Sequence, residues 1–257
     1  MRLSLVLIQS KLMAIIKSVV FGIALLVGIS GPVVAQNLGD LTKKVEGAAG
    51  GKGGGLSQAD ISDGLRQALQ IGAKNATGRV SAENGFFGDA LIKVLMPPEA
   101  KKVESTLRNM GMGEQVDQLI LSMNRGAEDA SGKALQIFVD AITSMSIEDG
   151  LSILRGGDNA ATNYLKQKTT PALTKAFRPV IEASLDKVGA TKYWATVFNT
   201  YNKLPTTFHK VNPDLAGYVT ERALNGVFVY MAKEEAKIRK DPAAQVTDML
   251  KKVFGSN

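Results

Sequence analysis

The sequence predicts an all-α protein, a multi-helix bundle of about eight to ten helices. Three observations lead to this prediction. Apolar residues recur at helical spacing along most of the chain after residue 55, strand-like alternation is nearly absent, and Ser, Asp, Gly and Pro stand where helices would begin and end. The chain of 257 residues is long enough for one large domain or two small ones.

Residues 1–35 have the organisation of a secretory signal peptide. Lys11 and Lys17 precede the apolar run 19–29, and small residues lead up to Ala35. This run is short for a membrane span, so we favour a signal peptide that is cleaved near Ala35 over an uncleaved anchor. The protein would then be exported, to the periplasm in the simplest case. A start codon later in this region would give a leader of more ordinary length.

That later start is Met13, the alternative to Met1. The sequence has no cysteine, so the exported protein would hold neither disulfides nor a lipid-bearing cysteine. The formal net charge of the whole chain is +7. The predicted leader contributes three cations and no acidic residue, so the mature chain would carry a net charge of +4. So small an excess does not indicate nucleic acid as a partner.

Residues 36–55 are predicted to be a flexible tether, and residues 56–257 a single helical domain. The tether ends in GAAGGKGGG, which lacks the spacing of a phosphate-binding P-loop. The domain opens with Ser57 and Asp60, a helix N-cap pattern. In the segment 81–98, glycines, prolines and a Phe-Phe pair favour an ordered loop pinned by aromatic burial, with a short hairpin or a flap as alternatives.

Two stretches of the chain, 78 positions apart, resemble each other without a gap. Gly111 matches Gly189, Asn124 matches Asn202, and the apolar positions coincide at the spacing of one helix face. Each copy therefore predicts a helix, a glycine stop and a second helix, and we favour duplication over chance. These stretches are residues 103–125 and 181–203, within longer repeats that would cover 98–168 and 177–254 as two pseudo-symmetric halves.

Further helix boundaries follow from local signals. Ser146 with Asp149 predicts one N-cap, and Asp158 predicts the next. Pro171 predicts the first turn of a new helix. Past the first copy of the repeat, Gly126 and Gly132 indicate a kink or a close helix crossing. A long helix is predicted to start after Asp214.

Four strings of the helical domain resemble a bacterial family known as domain of unknown function 4197. They are MNRGAEDA at 123–130, FVDAI at 138–142, IEDGLSILRGGDNAATNYL at 147–165 and KVFG at 252–255. The resemblance spans nearly the whole chain from Leu56 to Gly255. It implies an exported or envelope-associated helical protein, and the family supplies no assigned catalytic residue.

Two kinds of catalytic site were considered from the residues. His209 is the only histidine, and there is no Gly-x-Ser-x-Gly motif, so we expect neither a Ser–His–Asp site nor a zinc or haem cofactor. Glu148, Asp149 and Asp158 could form an acidic pocket for catalysis or metal binding. Helix capping explains Asp149 and Asp158 as well, and we favour it.

Five residues are candidates for ligand binding. Asn124 and its duplicate Asn202 each put an amide on an apolar helix face, and Arg125 follows Asn124. These side chains would either cross-link the two halves or line a shared cavity. Trp194 and Tyr201 belong to an aromatic band that would either clamp a sugar ring or acyl chain or simply fill the core.

The prediction for function is a non-catalytic binding module with a cleft between the two halves. Its ligand would be apolar or amphipathic, or its partner a protein of the cell envelope, with lipid as one candidate. The first alternative is a carboxylate-based hydrolase or metal-dependent enzyme. The second is a purely structural envelope protein, which would have no sizeable cleft.

Overall fold

A computed structural model describes residues 57–203 and 210–240. Most of these residues are helical and none is in a strand, which confirms the all-α prediction. The predicted signal peptide, the predicted tether and His209 lie outside the described residues. Within them the α-helices are α1 (Gln58–Ser81), α2 (Lys101–Asn109), α3 (Gly113–Ser131), α4 (Ala134–Thr143), α5 (Ile147–Arg155), α6 (Ala160–Asp186), α7 (Ala190–Tyr201) and α8 (Leu215–Lys240).

The four longest helices form the centre of the bundle. Helix α8 packs against α1, α3 and α6, and α3 also crosses α6. Large apolar side chains fill the space between them, such as Phe138 and Phe228, whose rings meet edge to face at 5.8 Å between centroids. None of the described helices combines the length and the apolar character that crossing a membrane would require.

Two of the predicted N-caps are confirmed. The Ser57 hydroxyl accepts a hydrogen bond from the Asp60 backbone N–H at 3.1 Å, and Ser146 accepts one from Asp149 at 3.0 Å. In both helices the aspartate side chain in turn accepts a hydrogen bond from the backbone N–H of the serine. Each pair is therefore a complete capping box, with aspartate in place of the usual glutamate.

The predicted N-cap at Asp158 is wrong. The Asp158 carboxylate instead accepts a hydrogen bond from Lys240 at 3.0 Å. The N-terminus of α6 is capped by a residue from another helix, because the buried Glu235 accepts the backbone N–H groups of Ala161 at 3.0 Å and Thr162 at 2.8 Å. A carboxylate at this end of a helix is favoured by the free N–H groups and by the helix dipole.

The helix predicted to begin at Pro171 does not exist, since α6 runs without interruption through Pro171 and Pro179. A proline in a helix interior costs about 3 kcal/mol or more. Burial of each large apolar side chain contributes about 1.5–3 kcal/mol, and a row of them on α6 outweighs that cost. The fully buried members of this row are Leu165, Leu173, Phe177, Ile181 and Leu185.

Gly126 marks a close helix crossing, as its position suggested. A Cβ atom there would lie 3.2 Å from the Ser184 Cβ atom and 3.4 Å from the Ile181 Cα atom of α6. The Ser122 hydroxyl, one turn earlier, donates to the Ser184 carbonyl oxygen at 2.9 Å. Gly132 instead ends α3, and the chain turns there into α4. The two glycines therefore have different structural roles.

The loop between α1 and α2 is held by an aromatic anchor, in agreement with the burial expected of the Phe-Phe pair. Phe86 is fully buried, whereas Phe87 is partly exposed. The Phe86 ring packs against Gly226 of α8 so closely that a Cβ atom there would lie 2.4 Å from the ring. The loop therefore has a fixed position on the helical core.

Candidate ligand-binding site

Two glycine turns frame the candidate site. Gly111 joins α2 to α3 with φ = 83°, and Gly189 joins α6 to α7 with φ = 68°. Other residues rarely adopt a positive φ, so glycine is the natural residue where a helix ends in this way. The sequence had paired these two glycines, and both turns have the same handedness.

An apolar cavity of about 380 Å³ lies between the helices that flank these glycines. Its volume is within the range of small-molecule sites, about 300–1,000 Å³. Two glutamines, Gln115 and Gln118, are the polar members of the lining. The apolar members are Met96, Val103, Leu107, Met112, Val116, Leu119, Val188, Ala190, Tyr193, Trp194 and Phe198.

Trp194 forms a fixed wall of the cavity. Its ring lies 4.4 Å from that of Phe198, measured between centroids, and both side chains are buried. Its indole N–H donates to the Asn212 carbonyl oxygen at 3.1 Å. With the polar atom satisfied, the apolar part of the indole that lines the cavity can contact an apolar ligand.

Exposed apolar side chains surround both glycine turns. Tyr193 is 70 % exposed and Met110 is 69 % exposed, and Met112 and Val188 are also exposed. Met112, Val188 and Tyr193 belong to the cavity lining as well. The cavity therefore opens onto an apolar surface, and clustered exposed apolar side chains often mark binding sites.

Asn124 does not reach the cavity. Its side chain is fully buried and holds the loop that precedes α2. Its amide oxygen accepts a hydrogen bond from the Val94 N–H, and its amide nitrogen donates one to the Val94 carbonyl oxygen, both at 2.8 Å. The amide nitrogen also donates to the Ile120 carbonyl oxygen. Asn124 thus satisfies both polar groups of one buried residue.

Asn202 makes the same pair of bonds in the second copy. Its oxygen accepts the Val211 N–H at 2.9 Å and its nitrogen donates to the Val211 carbonyl oxygen at 2.7 Å. Neither asparagine bonds to the matching stretch that holds the other one, 103–125 or 181–203, both of which the structure describes, so the expected cross-link between the two asparagines is wrong. The Tyr201 side chain is outside what the structure describes.

Arg125 supports the same loop through Glu128. The Glu128 carboxylate is buried and accepts the backbone N–H groups of Phe86 and Phe87, both at 3.0 Å. Arg125 donates to Glu128 at 2.5 Å and to Asn84 at 3.0 Å, and the hydrogen bond with Glu128 raises the pKa of Arg125. This pair therefore positions the loop and lies outside the cavity lining.

The three carboxylates of the alternative acidic site have separate surroundings. Hydrogen bonds from the Ser146 backbone and hydroxyl lower the pKa of Asp149. Asp158 pairs with Lys240, and Glu148 is exposed. Over residues 57–203 and 210–240, no group of three or more acidic or histidine side chains is placed to hold a metal ion.

Of the four candidate ligand-binding residues whose side chains the structure describes, Trp194 alone is found in the lining of the cavity. Sequence reasoning missed most of the other lining residues as a site. Val116 and Leu119 were visible as part of an apolar helix face, and Trp194 occupies the position of Val116 in the second stretch. What the periodicity could not show is that part of this face stays uncovered in the folded protein.

The comparisons with known proteins give one result. No curated protein and no solved structure shows significant similarity to the chain. The sequence profile of one family, described as "Protein of unknown function (DUF4197)", matches residues 55–255. This match covers the helical domain almost completely and agrees with the resemblance noted in the sequence. The chain therefore belongs to the DUF4197 family of proteins of unknown function.

Proposed function

We propose that the protein is an exported binding module that takes up an apolar or amphipathic small molecule in the cavity between Gly111 and Gly189. The observation that carries this proposal is the cavity of about 380 Å³, which is apolar and opens between exposed apolar side chains. Burial of apolar surface would supply the affinity, at about 25 cal/mol per Å². Gln115 and Gln118 would bind the polar end of an amphipathic ligand.

The position of the cavity also supports a duplicated origin. Its walls come from residues 103–119 of the first copy and residues 188–198 of the second. Both stretches have a glycine at positive φ at the matching position. The matching asparagines each bond to the two backbone groups of a valine, but Val94 lies 30 positions before Asn124 and Val211 lies nine positions after Asn202, so the glycine turns support a duplication and these bonds do not. We propose that the two copies are related by duplication and that the ligand site lies where they meet.

The test uses Trp194, the only tryptophan of the chain. The full-length protein is titrated with dodecanoate, with a neutral dodecyl glycoside detergent below its critical micelle concentration, and with a fatty acid brominated along its chain. Because bromine quenches indole fluorescence on contact, the brominated acid should quench Trp194 with saturation. The non-brominated ligands should compete with it. Unsaturable quenching, equal to that of free tryptophan, would contradict the proposal.

A cavity-filling variant provides the matching control. Ala190→Leu places a larger apolar side chain in the cavity and should weaken binding by tenfold or more. Lys192→Leu introduces the same residue two positions later, at an exposed site outside the cavity lining, and should bind as the parent protein does. Both variants are first checked for cooperative thermal unfolding. Equal binding by the two variants would place the ligand elsewhere.

Export is tested independently of binding. The gene is expressed with its own leader, and the protein from the periplasmic fraction is analysed by intact mass spectrometry. We expect a chain that begins at Gln36, after cleavage following Ala35. A chain that still begins at Met1 or Met13 and stays with the cytoplasmic or membrane fraction would contradict the proposed export.

A further inference from the structure

A second groove, of about 430 Å³, lies between α6 and α8. It shares no lining residue with the apolar cavity, and its character is different. Two helix rows form its sides, each at the spacing of one helix face. They are Asn159, Asn163 and Lys166 at the start of α6, and Arg222, Asn225 and Val229 on α8.

The groove is positively charged. Lys166 and Arg222 are part of its lining, and none of the lining residues within the described ranges is Asp or Glu. Neither cation forms an ion pair within residues 57–203 and 210–240. By contrast Arg178, which lies on α6 outside the groove, pairs with both Glu182 and Asp214. Two unneutralised cations in a concave surface attract an anion.

The floor of the groove places one of these cations. Phe228, Gly226 and Ile92 are buried and belong to the lining. The Lys166 ammonium lies over the Phe228 ring, 5.9 Å from its centroid. This contact favours a position of the charge inside the groove over an extended one in solvent.

Three asparagines supply the hydrogen-bonding groups. Asn159, Asn163 and Asn225 are exposed in the groove, and their side-chain amides form no hydrogen bond to other described residues. A primary amide offers two N–H donors and a carbonyl acceptor, so it can bind the donor and the acceptor of a hydroxyl group equally well. An anion without sugar hydroxyl groups would leave most of these amide groups without a partner.

We propose that this groove binds a small anion that carries several hydroxyl groups, of the class of acidic or phosphorylated sugars. Lys166 and Arg222 hold the anionic group, and the three amides bind the hydroxyl groups. Charge-assisted hydrogen bonds to the cations provide more of the affinity than the neutral ones. The proposal does not depend on the apolar cavity or on its ligand.

The binding test is an NMR titration of the isotopically labelled full-length protein. Glucuronate represents the carboxylates and glucose 6-phosphate the phosphates, while glucose and inorganic phosphate are the single-feature controls. We expect saturable shifts of the groove asparagine side-chain amides with at least one of the two anionic sugars. The better of the two identifies the anionic group. Glucose and phosphate alone should bind about tenfold more weakly, or not at all.

The variant test removes the charges without changing the helices. Lys166→Gln with Arg222→Gln should weaken binding of the anionic sugar about tenfold, because both charges that face the anionic group are removed. Lys175→Gln, at an exposed site on α6 outside the groove, should bind as the parent does. Thermal unfolding of all variants confirms that they are folded.

Three results would overturn the proposal. The first is the absence of shifts at the groove for both anionic sugars at millimolar concentration. The second is binding of glucose as tight as that of its phosphate, which would remove the role of the cations. The third is equal binding of inorganic phosphate and glucose 6-phosphate, which would remove the role of the amides.

Discussion

Replacement of Asn124 by alanine tests the role that the structure gives to this buried amide. The variant leaves the N–H and the carbonyl oxygen of Val94 without their partners, in a residue that is fully buried. Each unsatisfied buried group costs about 1–3 kcal/mol, so we expect the free energy of unfolding to fall by about 3 kcal/mol. For a domain of this size the melting temperature would drop by roughly 6–12 °C.

The assay is urea unfolding followed by circular dichroism, with Asn202→Ala and Asn109→Ala as comparisons. Asn202 makes the equivalent bonds but is only partly buried, so water can replace it and the loss should be about 1 kcal/mol. Asn109 is exposed at the end of α2, and its replacement should change the stability by no more than about 0.5 kcal/mol. The expected order of destabilisation is therefore Asn124, Asn202, Asn109.

Hydrogen exchange adds a local measurement. In the parent protein the Val94 N–H should exchange slowly, because it is buried and donates to Asn124. In Asn124→Ala it should exchange faster than the overall loss of stability requires. An unchanged Val94 exchange rate, or a loss below about 1 kcal/mol for Asn124→Ala, would refute the reasoning.

Three further predictions concern glycines and an acid. Gly226→Ala would place a Cβ atom 2.4 Å from the Phe86 ring, so the free energy of unfolding measured in urea should fall by about 2 kcal/mol. In Gly78→Ala the new Cβ atom meets nothing within 4 Å, so the free energy of unfolding should rise by up to about 1 kcal/mol. Hydrogen bonds from Ser146 lower the pKa of Asp149 in the folded protein, so the unfolded state binds a proton at this carboxylate more tightly. The contribution of Asp149 to the free energy of unfolding should therefore be lost as the pH falls below 3.8. Asp149→Asn should unfold with a shallower pH dependence in that range.

The helical class could be predicted because its signals are local. The capping boxes at Ser57 and Ser146 need only residues three positions apart, and the glycine stops at Gly111 and Gly189 need only the end of a helix. The same local logic failed at Pro171. There the helix continues because the row of buried apolar side chains on α6 stabilises it. The burial of that row depends on neighbouring helices, which the local sequence pattern does not reveal.

The site was harder to predict because its residues act across long sequence distances. Asn124 was correctly expected to need partners, but these proved to be on Val94, in a segment with no signal that pairs it with α3. Glu235 had no indicator of its capping role, since it serves a helix that begins 75 positions earlier. Trp194 was recognised as a candidate because it belongs to an aromatic band at helical spacing, which is a local signal.

The contact between α1 and α8 constrains the order in which the protein can be completed. Asn75 of α1 donates to Glu234 of α8, 159 positions later, and the two helices pack along their lengths. Until the ribosome has released α8, α1 has only α3, α4 and α5 to pack against and the N-terminus of α6 lacks its cap, so closure of the bundle waits for α8. Truncation within α8 should therefore abolish cooperative folding, whereas a domain built from sequential, self-contained hairpins would lose only its last unit.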